Sequence, residues 1–312
     1  MKIPIISGPT GVGKSEIAFE VAIRLDGEII SMDSMQIYKF MDIGTAKPPL
    51  EMRKQVPHHM MDIIYPDEDY NAYLYLRDST KVMRKILSRG KLPIFVGGTG
   101  LYVDALTRGL IEIPKDENVR RKLWKLEESS RGTLRKILED VDPEAARRIH
   151  PNDLKRTIRA LEVYYKTGTR ISELQKKVKP SGEFILFILT KNREELYNKI
   201  NLRVDDMLKR GLIDEVKHLL DMGYDENLNS MKAIGYRETI DYIKGRLDYD
   251  KYVHVLKRNT RHYARRQLIW FRRYDDAIWL DLSVLGKEGV VEKIVEFIKR
   301  NCVIKGKGGK DG

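Results

Sequence analysis

Residues 8–15 read GPTGVGKS, which fits the spacing G-x-x-x-x-G-K-[ST]. These residue types suit the holding of phosphate. Gly8, Gly11 and Gly13 let the segment Gly8, Pro9, Thr10, Gly11, Val12, Gly13, Lys14 and Ser15 curl so that several N–H groups point inward. A helix starting here adds the positive end of its dipole. Lys14 supplies a mobile cation, and the Ser15 hydroxyl can ligate Mg2+. The pattern arises by chance in a chain of this length at a rate on the order of one per cent. The ligand is therefore expected to be a diphosphate or triphosphate. The loop alone does not separate a nucleoside or small-molecule kinase from an ATPase or another phosphate-binding enzyme.

The elements that must position this loop are legible around it. KIPIIS (2–7) reads as a buried strand, and SEIAFEVAIRL (15–25) has helical spacing at Ile17, Val21 and Leu25. GEIISMD (27–33) reads as the next strand and delivers Asp33 at its C-terminal end, where α/β sheets place their sites. Residues 72–89 read as a helix stopped by Gly90, and KLPIFVGG (91–98) as a third strand. This alternation predicts an α/β fold with a P-loop NTPase-like parallel sheet. Residues 115–180 change character: strand signal fades, and PKDEN, DPEA and HPND each resemble a helix start. They read as a helical domain inserted into a core formed by 1–114 and 181–312. EFILFILT (183–190) returns as a strand. Helices are expected near 193–222, 230–245 and 249–274, then a strand at 277–282, a helix at 286–301 and a disordered tail at 304–312. GEIISMD is short for the acid-terminated strand of an energy-coupling ATPase, and KLPIFVGG ends in glycine, so that class fits poorly.

The chain has 312 residues and a net charge of +12. Residues 1–110 carry only +1 of this, residues 111–182 carry +6, and residues 183–312 carry +5. The segment 251–274 holds eight Lys or Arg and no acid, with Lys257, Arg261 and Arg265 stacked at helical spacing. Such a helix is expected to bind an anion. Its Trp270 and Phe271 read as packing residues. No run approaches the ~18 apolar residues of a membrane span, and the opening MKIPIISGPTG does not read as a signal peptide. A single cysteine, Cys302, gives no internal disulfide. The His58–His59 pair lacks zinc-ligand spacing and reads as structural. A cytoplasmic protein, acting as a monomer and touching no membrane, is expected.

Several further runs, taken in order, carry a resemblance. They are DSMQIYK (33–39), MDIGTAKP (41–48), PHHMMDI (57–63), VGGTGLY (96–102), HPND (150–153), RALEVYYKTG (159–168), AIGYRE (233–238) and RRQLIWFR (265–272). With the phosphate loop they resemble the tRNA dimethylallyltransferases, also called isopentenyl-tRNA transferases, from about residue 3 to residue 275. The resemblance implies transfer of a dimethylallyl group from dimethylallyl diphosphate to N6 of the adenosine 3′-adjacent to the anticodon of tRNA. Diphosphate is the other product, and the loop then serves a prenyl diphosphate with Mg2+.

The resemblance also assigns roles. Thr10 matches a position that hydrogen-bonds phosphate oxygens, and Arg203 in INLRVDDML matches a second diphosphate cation. Asp33 matches the catalytic acid and suits a general base, because the aromatic amine must lose a proton as its new C–N bond forms. Asp33, Ser34, Met35 and Gln36 match the segment that meets a flipped-out adenine, where Gln36 is able to make paired hydrogen bonds. Thr99 matches a position at the same channel. Lys155, Arg156 and Arg159 match a tRNA-contacting helix, and Lys232 to Arg237 another contact segment. The family often carries Gln where this chain has Lys155, which points to a phosphate contact there. A kinase leaves the basic insertion unexplained, and a non-catalytic RNA-binding module leaves the phosphate loop without purpose. A terpenoid synthase is disfavoured, since Asp205–Asp206 and Asp275–Asp276 lack the further acid a metal-binding motif needs.

Overall fold

A computed structural model describes residues 2–301; Cys302 and the tail 304–312 expected to be disordered lie outside them. The chain divides into two compact units, Arg108–Ser181 and the rest of the described residues. The larger unit opens with β1 (Ile3–Ser7), α1 (Lys14–Arg24), β2 (Gly27–Ser31), α2 (Leu50–Gln55), β3 (His58–His59), α3 (Ala72–Ser88), β4 (Leu92–Val96) and α4 (Gly100–Arg108). The smaller unit is helical throughout: α5 (Glu117–Ser129), α6 (Thr133–Val141), α7 (Pro143–Arg148), α8 (Leu154–Thr167) and α9 (Ile171–Lys177). The larger unit resumes with β5 (Phe184–Thr190), α10 (Arg193–Lys209), α11 (Leu212–Asp221), α12 (Tyr236–Ile243), α13 (Tyr249–Phe271), β6 (Ile278–Asp281) and α14 (Leu282–Asn301).

All six strands are parallel, in the order β3-β2-β4-β1-β5-β6. Both faces are covered, as an all-parallel sheet requires. Alternate residues of β5 show it: Ile185, Phe187 and Leu189 join the core under α1 and α14, while Leu186 and Ile188 join the core under α3 and α4. A third apolar cluster gathers α11, α12 and parts of α10 and α13 with the segment 35–46. The smaller unit has its own core, built on Leu123, Leu134, Leu138, Ile158 and Leu161. Among the described residues no helix is long and apolar enough to cross a membrane.

Three expected helices differ in extent. The stretch near 193–222 is two helices, broken where Gly211 takes a left-handed φ of 94°. The helix expected over 230–245 begins only at Tyr236, because Gly235 turns the chain at φ 101° and its N–H is capped by the Glu238 carboxylate at 2.9 Å. The last helix begins at Leu282 and carries a non-helical residue at Gly286. The two-residue β3 had no sequence signal long enough to read.

Candidate active site

Three loops meet at the C-terminal ends of β1, β2 and β4, the crevice where open parallel sheets hold ligands. The first is the phosphate loop. Its Gly13 has φ 109°, a left-handed backbone that turns the chain into α1. Lys14 Nζ donates to the carbonyls of Gly8 at 2.9 Å and Pro9 at 2.8 Å. Desolvation and, next, Arg203 lower the Lys14 pKa to about 7, with Asp33 partly opposing both. Burial likewise lowers the Arg203 pKa. The larger cavity sets Lys14, Lys199 and Arg203 beside Glu16, Asp33 and Asp206, and Asp33 acts on both Lys14 and Arg203.

The second loop follows β2. Asp33 Oδ1 accepts from Met35 N–H at 2.8 Å, closing an Asx turn. The third follows β4. Thr99 Oγ1 accepts from Ser34 N–H at 3.1 Å, so Thr99 ties the two loops together. An added Cβ at Gly97 would lie 2.2 Å from Met32 O, so only glycine permits this approach. Gln36 is buried, with Oε1 accepting from Ser31 Oγ at 2.9 Å and Nε2 donating to Thr45 O at 3.2 Å. The paired hydrogen bonds to an adenine expected of Gln36 would have to displace these.

Two cavities open on the loops. The larger, about 470 Å³, is lined by Gly11, Gly13, Lys14, Ser15 and Lys199 of the phosphate side and by apolar Ile29, Met61 and Val96. The smaller, about 380 Å³, is lined by Ser34, Met35, Arg266 and the segment from Lys232 to Arg237. Five residues line both: Thr10, Asp33, Thr45, Arg203 and Tyr263. Thr10, Asp33 and Arg203 are far apart in sequence, yet the fold brings them to one junction. Ser15 offers a hydroxyl to the larger cavity, and no group of three or more His, Cys, Asp or Glu able to hold a metal occurs among the described residues. One hydroxyl without a protein cage fits Mg2+, which keeps waters and takes ligands from substrate phosphates.

The wall formed by 38–62 has little regular structure and is held by buried polar groups. Lys47 is nearly inaccessible; its ammonium donates to Tyr38 O at 2.7 Å and Asp42 Oδ1 at 2.6 Å, and pairs with Asp62. Glu215 of α11 accepts from the N–H groups of Asp42, Ile43 and Gly44 and from Tyr236 OH, at 2.7–3.1 Å. It thereby fastens the MDIGTAKP segment to the start of α12.

Some expected cations have other partners. On α13, Lys257 pairs with Asp205 at 2.6 Å and Arg261 donates to Asn201 at 2.7 Å. These two members of the stripe pack on α10, while its third, Arg265, and the neighbouring Arg266 remain exposed. Lys232 is exposed, and Arg237 pairs with Glu238 at 2.6 Å. Within the smaller unit, Lys155 and Arg156 on α8 are exposed. Arg159, expected to face RNA, donates instead to Glu162 at 2.7 Å and to Ile113 O at 2.7 Å. Burial would raise the Glu162 pKa, but Arg120, Arg159 and Asp116 N–H outweigh it and hold it at about 2. Trp270 and Phe271 are packed as expected, Trp270 against Gly100.

The sequence reading missed Gln267 and Tyr263. Gln267 interrupts the inward stripe of α13 between Ala264 and Phe271, and an inward glutamine is the signal that could have found it. It accepts from Thr10 N–H and donates to Gly98 O, both at 2.8 Å.

The IPP transferase family model matches residues 36–274. The tRNA dimethylallyltransferase of Thermotoga petrophila is 60% identical over 96% of this chain and 99% of its own length. That of Thermosipho melanesiensis is 52% identical over 96% of this chain and 99% of its own length. Among solved structures, the tRNA isopentenylpyrophosphate transferase of Bacillus halodurans matches with a TM-score of 0.71 and 41% identity, covering 96% of each chain. A eukaryotic dimethylallyltransferase acting on tRNA matches with a TM-score of 0.82 and 30% identity, covering 98% of this chain and 81% of its own. These likenesses span both units and the whole set of loops around the junction, and the chain belongs to the IPP transferase family.

Proposed function

We propose that this chain transfers a dimethylallyl group from dimethylallyl diphosphate to N6 of the adenosine 3′-adjacent to the anticodon of tRNA, releasing diphosphate. Kinship supports the class, since the curated relatives are tRNA dimethylallyltransferases. The observation that carries the chemistry is the junction: a phosphate-loop cavity and a cavity rimmed by Lys232, Arg237 and Arg266 share Thr10, Asp33 and Arg203.

The donor diphosphate lies on the loop N–H groups, Lys14 and Arg203, with its prenyl group toward Ile29, Met61 and Val96. The adenine, flipped out of the anticodon stem-loop, enters through the smaller cavity past Ser34 and Met35. The C1–O bond breaks and its electron pair leaves on diphosphate, where the loop, Lys14 and Arg203 hold the charge. The Thr10 hydroxyl donates to the bridging oxygen. The N6 lone pair forms the new bond to C1, and Asp33 takes the N6 proton. Ser15 would hold Mg2+, which when bound supplies further neutralisation of the diphosphate. Gln36 and Thr99 hold the channel wall rather than the base. Lys155 and Arg156 of the insertion grip the tRNA backbone, and a monomer acting in the cytoplasm suits this substrate.

The test is incubation with labelled dimethylallyl diphosphate, Mg2+ and unmodified tRNA. Label is expected in tRNA, on the adenosine beside the anticodon. Consumption of ATP without label in RNA would instead indicate a kinase and sink the reading.

A further inference from the structure

Tyr263 is the aromatic residue among the five that line both cavities; the other four are Thr10, Asp33, Thr45 and Arg203. It lies on α13, one turn before Gln267, whose two hydrogen bonds fix that part of the helix to the phosphate loop and to Gly98. Its ring is steadied by Arg266, whose guanidinium carbon lies 5.8 Å from the ring centroid. Burial and the nearby Asp33 carboxylate raise its pKa, so the phenol stays neutral throughout the working range.

The electrostatics of the junction pose a problem that these residues must solve. Lys14 and Arg203 stabilise a leaving diphosphate, but the same cations oppose the positive charge that grows on the allylic carbon as the C–O bond lengthens. Two negative potentials line the junction of the cavities, the Asp33 carboxylate and the face of the Tyr263 ring. Asp33 is reserved for the N6 proton. A second problem is water, because an allylic cation is captured by any water that reaches it.

Resting on the prenyl-transfer reading above, we propose that Tyr263 is a further catalytic residue whose aromatic face meets the allylic carbon, stabilises its developing charge and shields it from water. The balance of the step is unchanged. The C1–O pair leaves with diphosphate, C1 bonds N6, and the N6 proton passes to Asp33. If water replaces N6, the cation yields a dimethylallyl alcohol and a proton instead.

The experiment compares wild type, Tyr263→Phe and Tyr263→Leu with labelled dimethylallyl diphosphate, Mg2+ and unmodified tRNA. Both the turnover rate and the ratio of labelled tRNA to labelled alcohol are measured. Tyr263→Leu is expected to lower kcat by roughly ten- to thirtyfold, the worth of a desolvated cation–π contact, and to shift label toward the alcohol. Tyr263→Phe is expected to recover most of the rate and the wild-type product ratio. The ratio is independent of the folded fraction, so it reads the role even if the leucine variant is less stable. Wild-type product ratio in Tyr263→Leu would overturn the proposal. Equal losses in the two variants would also overturn it, since the hydroxyl rather than the ring would then matter. If wild type itself puts no label into tRNA, the prenyl-transfer reading fails, and that outcome is distinct from either result with the variants.

Discussion

Gln267 accepts the Thr10 N–H at 2.8 Å, joining α13 to the phosphate loop. The same side chain donates to Gly98 O, and an added Cβ at Gly98 would lie 2.2 Å from its Nε2. One buried amide therefore sets the spacing between the phosphate loop and the loop after β4, and Gly98 leaves it room.

Gln267→Leu removes both bonds and leaves the half-buried Thr10 N–H and the buried Gly98 carbonyl without this partner. A loss of about 1–4 kcal/mol in unfolding stability is expected, from roughly 1–3 kcal/mol for the buried carbonyl and less for the half-buried N–H. The KM for dimethylallyl diphosphate should rise more than kcat falls, because the loop rather than the base is disturbed. Urea unfolding and steady-state kinetics check this. An unchanged KM would separate Gln267 from the donor site.

Under the proposed role of Lys14, donor binding should depend on pH. In the free chain its pKa is lowered to about 7 by burial and by Arg203. A bound diphosphate favours the charged form, so binding should take up protons near pH 7 and weaken as pH rises above it. The sign for stability is opposite. Between about 7 and the ordinary value of 10.5 the unfolded chain holds a proton that the folded chain lacks, so stability rises with pH across that window. Calorimetry with inorganic diphosphate in buffers of different ionisation heat reads the proton uptake. Lys14→Met should abolish it.

Much of this site was readable from the chain because each part has a local cause. The phosphate loop needs glycines in fixed places, and Asp33 follows a strand whose buried run is plain. The helix starts at Asp116, Asp142 and Asp153 carry side-chain caps that the residue types announce. What was not readable depends on partners distant in sequence. Gln267 and Thr10 are separated by 257 positions, and nothing near either residue names the other. Arg159 matches a tRNA-contacting position in the resemblance, yet it lies against Glu162, which Arg120 also claims. Two cations of the basic stripe of α13 are engaged in a similar way: charge counts along one helix do not reveal Asn201 and Asp205 on α10.

Asp33→Asn tests the proposed proton acceptor. Asn keeps an Oδ1 that accepts from Met35 N–H, so the turn after β2 survives. Loss of a positioned base is expected to cost about 10²–10⁴ in kcat. Binding of tRNA and of diphosphate should remain close to wild type. Single-turnover prenyl transfer and filter binding check the two halves, and a near-normal rate would reject Asp33 as the base.

Glu215 tests whether the loop 41–45 shapes the junction. Its carboxylate takes three backbone N–H groups and Tyr236 OH. Glu215→Ala should destabilise the fold by about 1–3 kcal/mol and loosen Thr45, which lines both cavities. The expected kinetic result is a higher KM for donor and tRNA together. Thermal unfolding and paired KM measurements decide it, and a rise confined to one substrate would place the loop on one side only.

The insertion offers a contrast between two cations on one helix. Lys155 is exposed on α8, whereas Arg159 is held by Glu162 and the Ile113 carbonyl. Lys155→Ala should weaken tRNA binding and lower the slope of log affinity against log salt by about one, as the loss of a single phosphate contact does. Arg159→Ala should act through the fold. It leaves the inaccessible Glu162 carboxylate with one guanidinium fewer, so unfolding stability near pH 7 should drop while the salt slope stays at the wild-type value. The carboxyl pKa of about 2 lies below its ordinary 4.5, so the stabilisation is present above about 4.5 and is lost as pH falls toward 2. Arg159→Ala should therefore differ most from wild type near neutrality and converge with it in acid. Salt-dependent binding titrations and unfolding measured from neutral to acid pH distinguish the two residues; a reduced salt slope in Arg159→Ala would return Arg159 to the RNA-facing role.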